Sequence, residues 1–444
     1  MLYLLFIFEI ILLIISYVIS SRKFSSPSVL VNTSFVFSTA FLLINKSKWA
    51  LDIGFNTFFL VIIGNILFLV GEIIAKIIQL KKKNYIFSEN NNNVTISTQY
   101  TGIILAFEII AIILVYSYIK NNVAISYDYN GVAMTLMGSY RHQQEEYNAT
   151  WVTALISFGK VLMYFYGFIV IYRIIYENNF KLKETLAFVA AIVLCSLSSA
   201  RIDIILMAGS VIVWIYALLW KKYKNINEIS KKMIKWALLI VVLMFVLFFV
   251  MGMMTGKTGS TVSAIVNIIA VYAGGGTIGL DKYLTSYHGV EFTKSSETLY
   301  GLNSILVKLG HAPICHYRNL EFFFMGKSKI YTGNTYTVYR RLLHDYGLAW
   351  TMVIRVLEGY IMGKIYYKIY DEKNMLHFLR YLLISGTVVG VLITEAVDTH
   401  FLMTLPTFSE ILMLILLSML FSLYTKYIVV IEKRAKIRIR RKDI

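Results

Sequence analysis

Two stretches of this sequence place arginine beside groups that can accept or donate a proton. In Ser198-Ser199-Ala200-Arg201-Ile202-Asp203, small residues precede a guanidinium. Small residues let helices approach closely, and the permanently charged fork of Arg201 offers five donors to a phosphate or carboxylate. The plainer alternative is that Arg201 pairs with Asp203 or snorkels to lipid headgroups. The second stretch runs Asn334-Thr335-Tyr336-Thr337-Val338-Tyr339-Arg340-Arg341-Leu342-Leu343-His344-Asp345-Tyr346-Gly347. As a helix it puts Arg340 and His344 on one face at i,i+4, with Arg341 and Asp345 as the neighbouring pair. A third run, Tyr140-Arg141-His142-Gln143-Gln144-Glu145-Glu146-Tyr147, and a compact group of Glu395, Asp398 and His400 add further ionisable residues. Tyrosine and tryptophan are frequent around them, as sugar-stacking surfaces require, although such aromatics also form ordinary interfacial belts.

The elements that must position these groups are apolar. Hydrophobic residues make up 58% of the 444, and the mean hydropathy is +0.66. Crossing a bilayer core of about 30 Å takes roughly 20 mainly apolar helical residues. Runs of that kind lie near 2–20, 28–45, 54–79, 101–119, 151–172, 186–199, 204–220, 236–255, 348–369, 376–396 and 404–428. The expected fold is therefore an all-α polytopic membrane protein of about eleven transmembrane helices. One membrane domain covers 1–444, with no fixed-period repeat and no soluble domain. Residues 1–20 lack a basic leader and a small-residue cleavage site, so they are expected to be a retained helix.

Charge orients the helices. The formal net charge is +18, and it concentrates in Arg22, Lys23, Lys81 to Lys83, Arg173, Lys181, Lys183, Lys221, Lys222, Lys224 and the basic tail, 429–444. Short loops rich in lysine and arginine stay cytoplasmic, which puts the N-terminus outside and the C-terminus inside. The tail then meets anionic lipid headgroups rather than nucleic acid. Two long loops, 120–150 and 256–347, fall on the extracytoplasmic side. The second has about ninety residues, and connections longer than about fifteen are usually functional or carry structure of their own. Within it, Ser263 to Leu280 is apolar with a Gly274-Gly275-Gly276 break, the pattern of a helix lying at or dipping into the interface. Cys195 and Cys315 are too far apart in the expected topology for a disulfide, and no metal-ligand spacing is present.

Ionisable residues inside spans cost a few kcal/mol and need a partner or a role. Glu108 and Lys160 sit at similar expected depth on adjacent spans and are expected to pair. Glu72 and Lys76 share one helix face at i,i+4 near the cytoplasmic end.

With these residues in view, the chain resembles the Wzy-type oligosaccharide repeat-unit polymerases, the O-antigen and capsule polymerase family. The resemblance rests on the two external loops, on Ser199-Ala200-Arg201 at an outer turn, and on Asn334, Tyr336, Thr337, Arg340, Asp345, Tyr346 and Gly347 leading into a span. The architecture matches over nearly the whole chain, whereas the residue match is confined to those short runs. The resemblance implies a glycosyltransferase C-like fold with an extracytoplasmic active site and no metal or other cofactor. Its partners would be undecaprenyl-diphosphate-linked oligosaccharide donor and acceptor, membrane lipids and a chain-length regulator. Arg201 and Arg340 become the candidates for stabilising a leaving diphosphate in a water-poor site. A general base must lie within reach of the acceptor hydroxyl; His142, Glu145, Glu146, His344, Asp345, Glu395, Asp398 and His400 are all candidates. Arg141, Arg341, Tyr336, Asn334, Glu395 and His400 are candidate substrate-binding residues. His344 departs from the hydrophobic residue expected beside that aspartate. A lipid-linked oligosaccharide flippase and an O-antigen ligase are the competing readings. Flippases gather cations in a central cavity, and ligases share the outer arginines but use another acceptor.

Overall fold

The computed structural model describes residues 1–81, 96–97, 99–126, 135–143, 149–198, 202–223, 225–254, 262–286, 297–311, 320–325, 331–372 and 374–440. It is 81% helical. The first half of the chain supplies α1 (Leu2–Ile19), α2 (Pro27–Ile44), the single turn α3 (Lys46–Trp49), α4 (Phe55–Lys81) and α5 (Thr101–Asn122). The short α6 (Leu136–His142) precedes α7 (Thr150–Tyr172), α8 (Leu182–Ser196) and α9 (Ile202–Tyr223). Then come α10 (Ile226–Met254), α11 (Val262–Thr285), α12 (Tyr300–Lys308) and the strands β1 (Phe323–Met325) and β2 (Tyr331–Gly333). The chain closes with α13 (Val338–Ile369), α14 (Met375–Gly390), the turn α15 (His400–Met403) and α16 (Phe408–Arg440).

Eight helical segments among the described residues are long and apolar enough to cross a bilayer. They are α1, α2, α4, α5, α7 with its continuation to Glu177, α9, α14 with its continuation to Thr394, and α16 as far as Thr425. The protein is thus an all-α, multi-pass membrane protein. Three other expected spans are also helical. The run 186–199 falls on α8, which has only 15 residues, and 236–255 falls on α10. The run 348–369 lies in α13 and carries Arg355, Glu358, Lys364 and Lys368, which lower its hydropathy.

Local chemistry sets the helix starts. Pro27 occupies the first turn of α2, where its missing N–H costs nothing. Asn374 caps α14 by accepting from the backbone N–H groups of Leu376 at 2.9 Å and His377 at 3.3 Å, one of the favoured capping side chains. Asp281, on α11, accepts from Gly54 N at 2.7 Å and Thr57 Oγ1 at 2.6 Å and so secures the start of α4.

Contacts between helix ends define the two ends of the bundle. Met1 N donates to Asp52 at 3.1 Å, so the starts of α1 and α4 share one end. At the other end, the Lys76 ammonium donates to Ile19 O, Lys221 to Glu372 O at 3.2 Å, and Lys222 to Asn178 at 2.9 Å. There Lys23 lies 3.6 Å from the Tyr370 ring centroid, with Tyr367 at 5.2 Å and Trp220 at 5.7 Å. The basic residues of the short loops therefore collect at one end, as the sequence pattern implies.

The long element α13 does not run straight. Arg355 Cζ lies 5.3 Å from the Tyr339 ring, yet sixteen positions in one continuous helix would rise about 24 Å. The chain folds back at Gly347, whose φ of 70° and ψ of 180° interrupt the helix. Glycine alone takes that backbone conformation without steric cost. A first arm, 338–346, therefore packs beside a second arm that begins at 348. The second arm lies against α4 at van der Waals distance. A Cβ on Gly71 would sit 2.0 Å from Val356 O, and one on Gly359 would sit 2.0 Å from Phe68 O. This is the small-residue contact that lets membrane helices approach closely.

The long loop differs from expectation in two respects. In place of short helices alone, it contains α11 with 24 residues, α12 with 9, and an antiparallel hairpin that pairs Phe323 with Gly333 and Met325 with Tyr331. The three glycines do not break α11. Instead Gly274 faces Leu42 of α2 and Gly276 faces Ala396 O, so this stretch of α11 is packed into the bundle.

Candidate functional site

The first arm of α13 carries the ionisable residues inward. Tyr339 donates to Asn65 Oδ1 at 2.6 Å, partway down α4, and Val338 N donates to Glu395 O at 3.0 Å. Arg340, Arg341, His344 and Asp345 are all buried as a result. The sequence expectation that this run belongs to the external loop is thereby modified, since its last turns lie within the bundle.

Each of these four buried groups has a partner of opposite formal charge. Arg340 Nη1 and Arg341 Nη1 both donate to Glu297 Oε2, the latter at 3.0 Å. Arg341 also grips Asp398 with two bonds, Nε to Oδ1 at 2.8 Å and Nη2 to Oδ2 at 3.1 Å. Such bidentate pairs fix orientation as well as supplying energy. Burial pushes the Asp398 carboxyl up, but the Arg341 charge and its hydrogen bonds outweigh this and hold the pKa below the usual range. The expected Arg341–Asp345 pair is absent. Asp345 instead accepts from Glu297 N at 3.1 Å, from Thr298 N at 2.8 Å and from the Thr298 hydroxyl.

His344 Nδ1 lies 2.9 Å from Asp345 Oδ1, and its Nε2 lies 3.8 Å from Glu297 Oε1. The Asp345 bond, opposed by burial and aided by Glu297, raises the imidazole pKa above its ordinary range. For Asp345, burial favours the neutral acid, yet the bonds from His344, Thr298 and the two backbone N–H groups lower its pKa. His344 and Asp345 thus form a fixed hydrogen-bonded pair ahead of the span that begins after Gly347.

Arg340 differs from Arg341 in what lies on its far side. A cavity of about 390 Å³ opens there, lined on one wall by Lys282 and Tyr283 of α11 and by Ser286 just past its end. Glu321, Phe322 and Phe323 supply a second wall, and Tyr336, Arg340 and His344 form the floor. Arg340 Cζ is 4.8 Å from the Tyr283 ring and 5.6 Å from the Tyr336 ring. Its Nη2 faces both oxygens of Glu321 at 3.4 Å. The Tyr336 hydroxyl donates to Glu321 O at 3.1 Å and fixes that backbone. Cations, aromatic faces and one carboxylate therefore line a single space, the composition suited to an anionic group joined to a sugar.

Among the further ion clusters of the bundle, two bear on residues singled out in the sequence. Arg355, fully buried, donates to Glu358 at 2.6 Å and Glu395 at 2.7 Å. Lys160 bridges Asp203 at 2.9 Å and Glu410 at 2.5 Å. The expected Glu108–Lys160 pair is not formed, and both Glu108 carboxylate oxygens are buried without a hydrogen-bond partner among the described residues. Asp203, committed to Lys160, is likewise part of a structural triad. The Glu72 carboxylate does not take up Lys76; it accepts from Ser28 N and from the Tyr367 hydroxyl, each at 2.7 Å.

Of the sequence candidates, Arg340, Tyr336 and His344 line the cavity, and Asn334 is exposed on the strand-like approach to it. Arg341 and Asp345 sit behind Arg340. The group Glu395, Asp398 and His400 does not converge on one space: its members separate toward Arg355, Arg341 and Thr404. Arg201 and Glu145 lie outside the described residues, and Arg141 and His142 are placed only as backbone of α6. Sequence reasoning missed Glu297, Glu321, Lys282 and Tyr283. Their one sequence signal is position, since all four lie in the loop whose length marks it as functional. No protein-family model, curated protein or solved structure matches the chain.

Proposed function

We propose that this protein is a polysaccharide polymerase: a glycosyltransferase that joins undecaprenyl-diphosphate-linked repeat units at the outer face of a bacterial cell membrane. The observation that carries the reading is Arg340, a buried guanidinium whose outer edge faces a cavity shared with Lys282 and the rings of Tyr283, Tyr336 and Phe323. In this reading Arg340 and Lys282 take up the charge that develops on the leaving diphosphate, and the rings hold the adjoining sugar. Cations already in place in a poorly hydrated site need no reorganisation as charge develops. The resemblance adds Arg201 as a further cation for the same charge, and no metal or other cofactor is required. The helices follow a glycosyltransferase C-like plan of eleven spans, N-terminus outside and basic C-terminus in the cytoplasm. That orientation is supported by the collection of lysines and arginines at the end of the bundle opposite Asp52.

Purified protein given lipid-linked repeat units should produce a ladder of extended glycans. A single transferred unit on another acceptor would favour the ligase reading, and movement of carrier across vesicles without new bonds would favour the flippase. Orientation is tested separately: cysteine at Ser286 should react with an impermeant maleimide on intact spheroplasts, and cysteine at Asn227 only after lysis.

A further inference from the structure

Among the described residues that line the cavity, Glu321 is the one carboxylate, and it holds a position unlike that of Glu297. Both face Arg340. Glu297 is fully buried and is shared with Arg341; removing it would leave Arg340 without its buried partner, a strongly unfavourable change. The Glu321 side chain is 52% exposed, and its oxygens stand 3.4 Å from Nη2, beyond good hydrogen-bond length. Ion pairs so open to solvent are weak. The backbone of Glu321 is nevertheless fixed, because its carbonyl accepts from the Tyr336 hydroxyl. The inner carboxylate is a permanent partner of Arg340, and the outer one can be exchanged.

We infer that Glu321 is an exchangeable counter-ion of Arg340 that gives up its place to a diphosphate and, once displaced, accepts the proton of the attacking hydroxyl. The inference rests on the polymerase reading for its second half only. A singly charged ligand that replaces Glu321 makes an even trade, since the displaced carboxylate stays nearby and repels it. A diphosphate gains more, because its several oxygens can reach Arg340 and Lys282 together. The contact thus selects polyanions by opposing weaker competitors.

In the reaction, the acceptor hydroxyl oxygen forms its bond to the anomeric carbon. The bond from that carbon to the diphosphate oxygen breaks, and its electron pair stays on the diphosphate beside Arg340 and Lys282. The hydroxyl proton passes to the Glu321 carboxylate and then to solvent.

Calorimetric titration of the full-length protein with inorganic pyrophosphate, and separately with inorganic phosphate, tests the exchange without sugar transfer. Glu321→Gln should bind pyrophosphate about threefold more tightly and prefer it less strongly over phosphate. The same variant should extend glycan about a hundredfold more slowly or worse, and Glu321→Asp should recover part of the rate. Unchanged or weaker pyrophosphate binding by Glu321→Gln overturns the exchange, as does absence of binding in parent and variant alike. Normal extension by Glu321→Gln overturns the proton transfer. If the parent binds pyrophosphate but makes no ladder, the polymerase reading fails while the exchange stands.

Discussion

Arg340 and Arg341 donate to the same oxygen of Glu297, yet only Arg340 also lines the cavity. Adjacent residues on a helix point about 100° apart. One guanidinium therefore turns toward α11 and the hairpin, and the other toward Asp398. This divergence separates the cation available to substrate from the cation that holds the arm in place.

Substituting the two arginines should have different effects. Arg340→Ala should abolish chain extension, and Arg340→Lys should restore little, because a lysine cannot face Glu297 and the cavity with one planar fork. Arg341→Ala should chiefly lower thermal stability, by about 3–5 kcal/mol, by removing a buried bidentate partner. Combined with Asp398→Ala it should cost less than the sum of the single changes, with coupling of about 0.5–3 kcal/mol. Ladder assays and melting curves on the same preparations separate these outcomes. Additive losses would show that Arg341 and Asp398 act independently.

The Lys160 triad allows a second comparison. Lys160→Ala leaves Asp203 and Glu410 facing each other and should destabilise the protein by about 3–5 kcal/mol. Glu108→Gln should be neutral or mildly stabilising, because no cation is paired with that carboxylate among the described residues. If Glu108→Gln proved as damaging as Lys160→Ala, a partnership between these two residues would have to be restored.

Close helix contact predicts a steric effect. Gly71→Val and Gly359→Val each place atoms against a carbonyl on the facing helix, and should force α4 and α13 apart. Yield in detergent and melting temperature should both fall, with Gly102→Val as the control because open space surrounds it.

The His344–Asp345 pair makes stability depend on pH. Because the folded protein raises the His344 pKa, its contribution is complete below the ordinary imidazole value of about 6.5. That contribution is lost as pH climbs through the raised value. Asp345 is depressed, so its contribution holds above the ordinary carboxylate value of about 3.9 and disappears as pH falls through the lowered one. Melting temperatures of parent and His344→Gln should differ most in mildly acidic buffer and converge as pH rises. A gap that widened toward alkaline pH would reverse the assigned direction.

The apolar helices were legible in the sequence because their signal is local: long hydrophobic runs, basic short loops, a proline at the start of α2. Arg340 and Tyr336, which line the cavity, were also singled out by a short motif. Pairing was not, because Glu297 lies more than forty positions from Arg340 and nothing local distinguishes it from Glu291. The fold-back could be read only as a glycine at the mouth of a span. Its meaning came from Arg355 meeting Tyr339, a contact that helical spacing alone would forbid. Likewise Lys160 was recognised as anomalous, but its partners came from α9 and α16 rather than from the neighbouring α5.

The fold-back at Gly347 has a consequence for how this protein could be re-engineered. The arm bearing the guanidinium is anchored on α4, deep among the helices, whereas Phe322, Phe323 and Glu321 come from a segment joined to it by extended chain. Hairpin sequences could therefore be exchanged between proteins of this plan to alter what the cavity admits, with the charge beneath them left undisturbed.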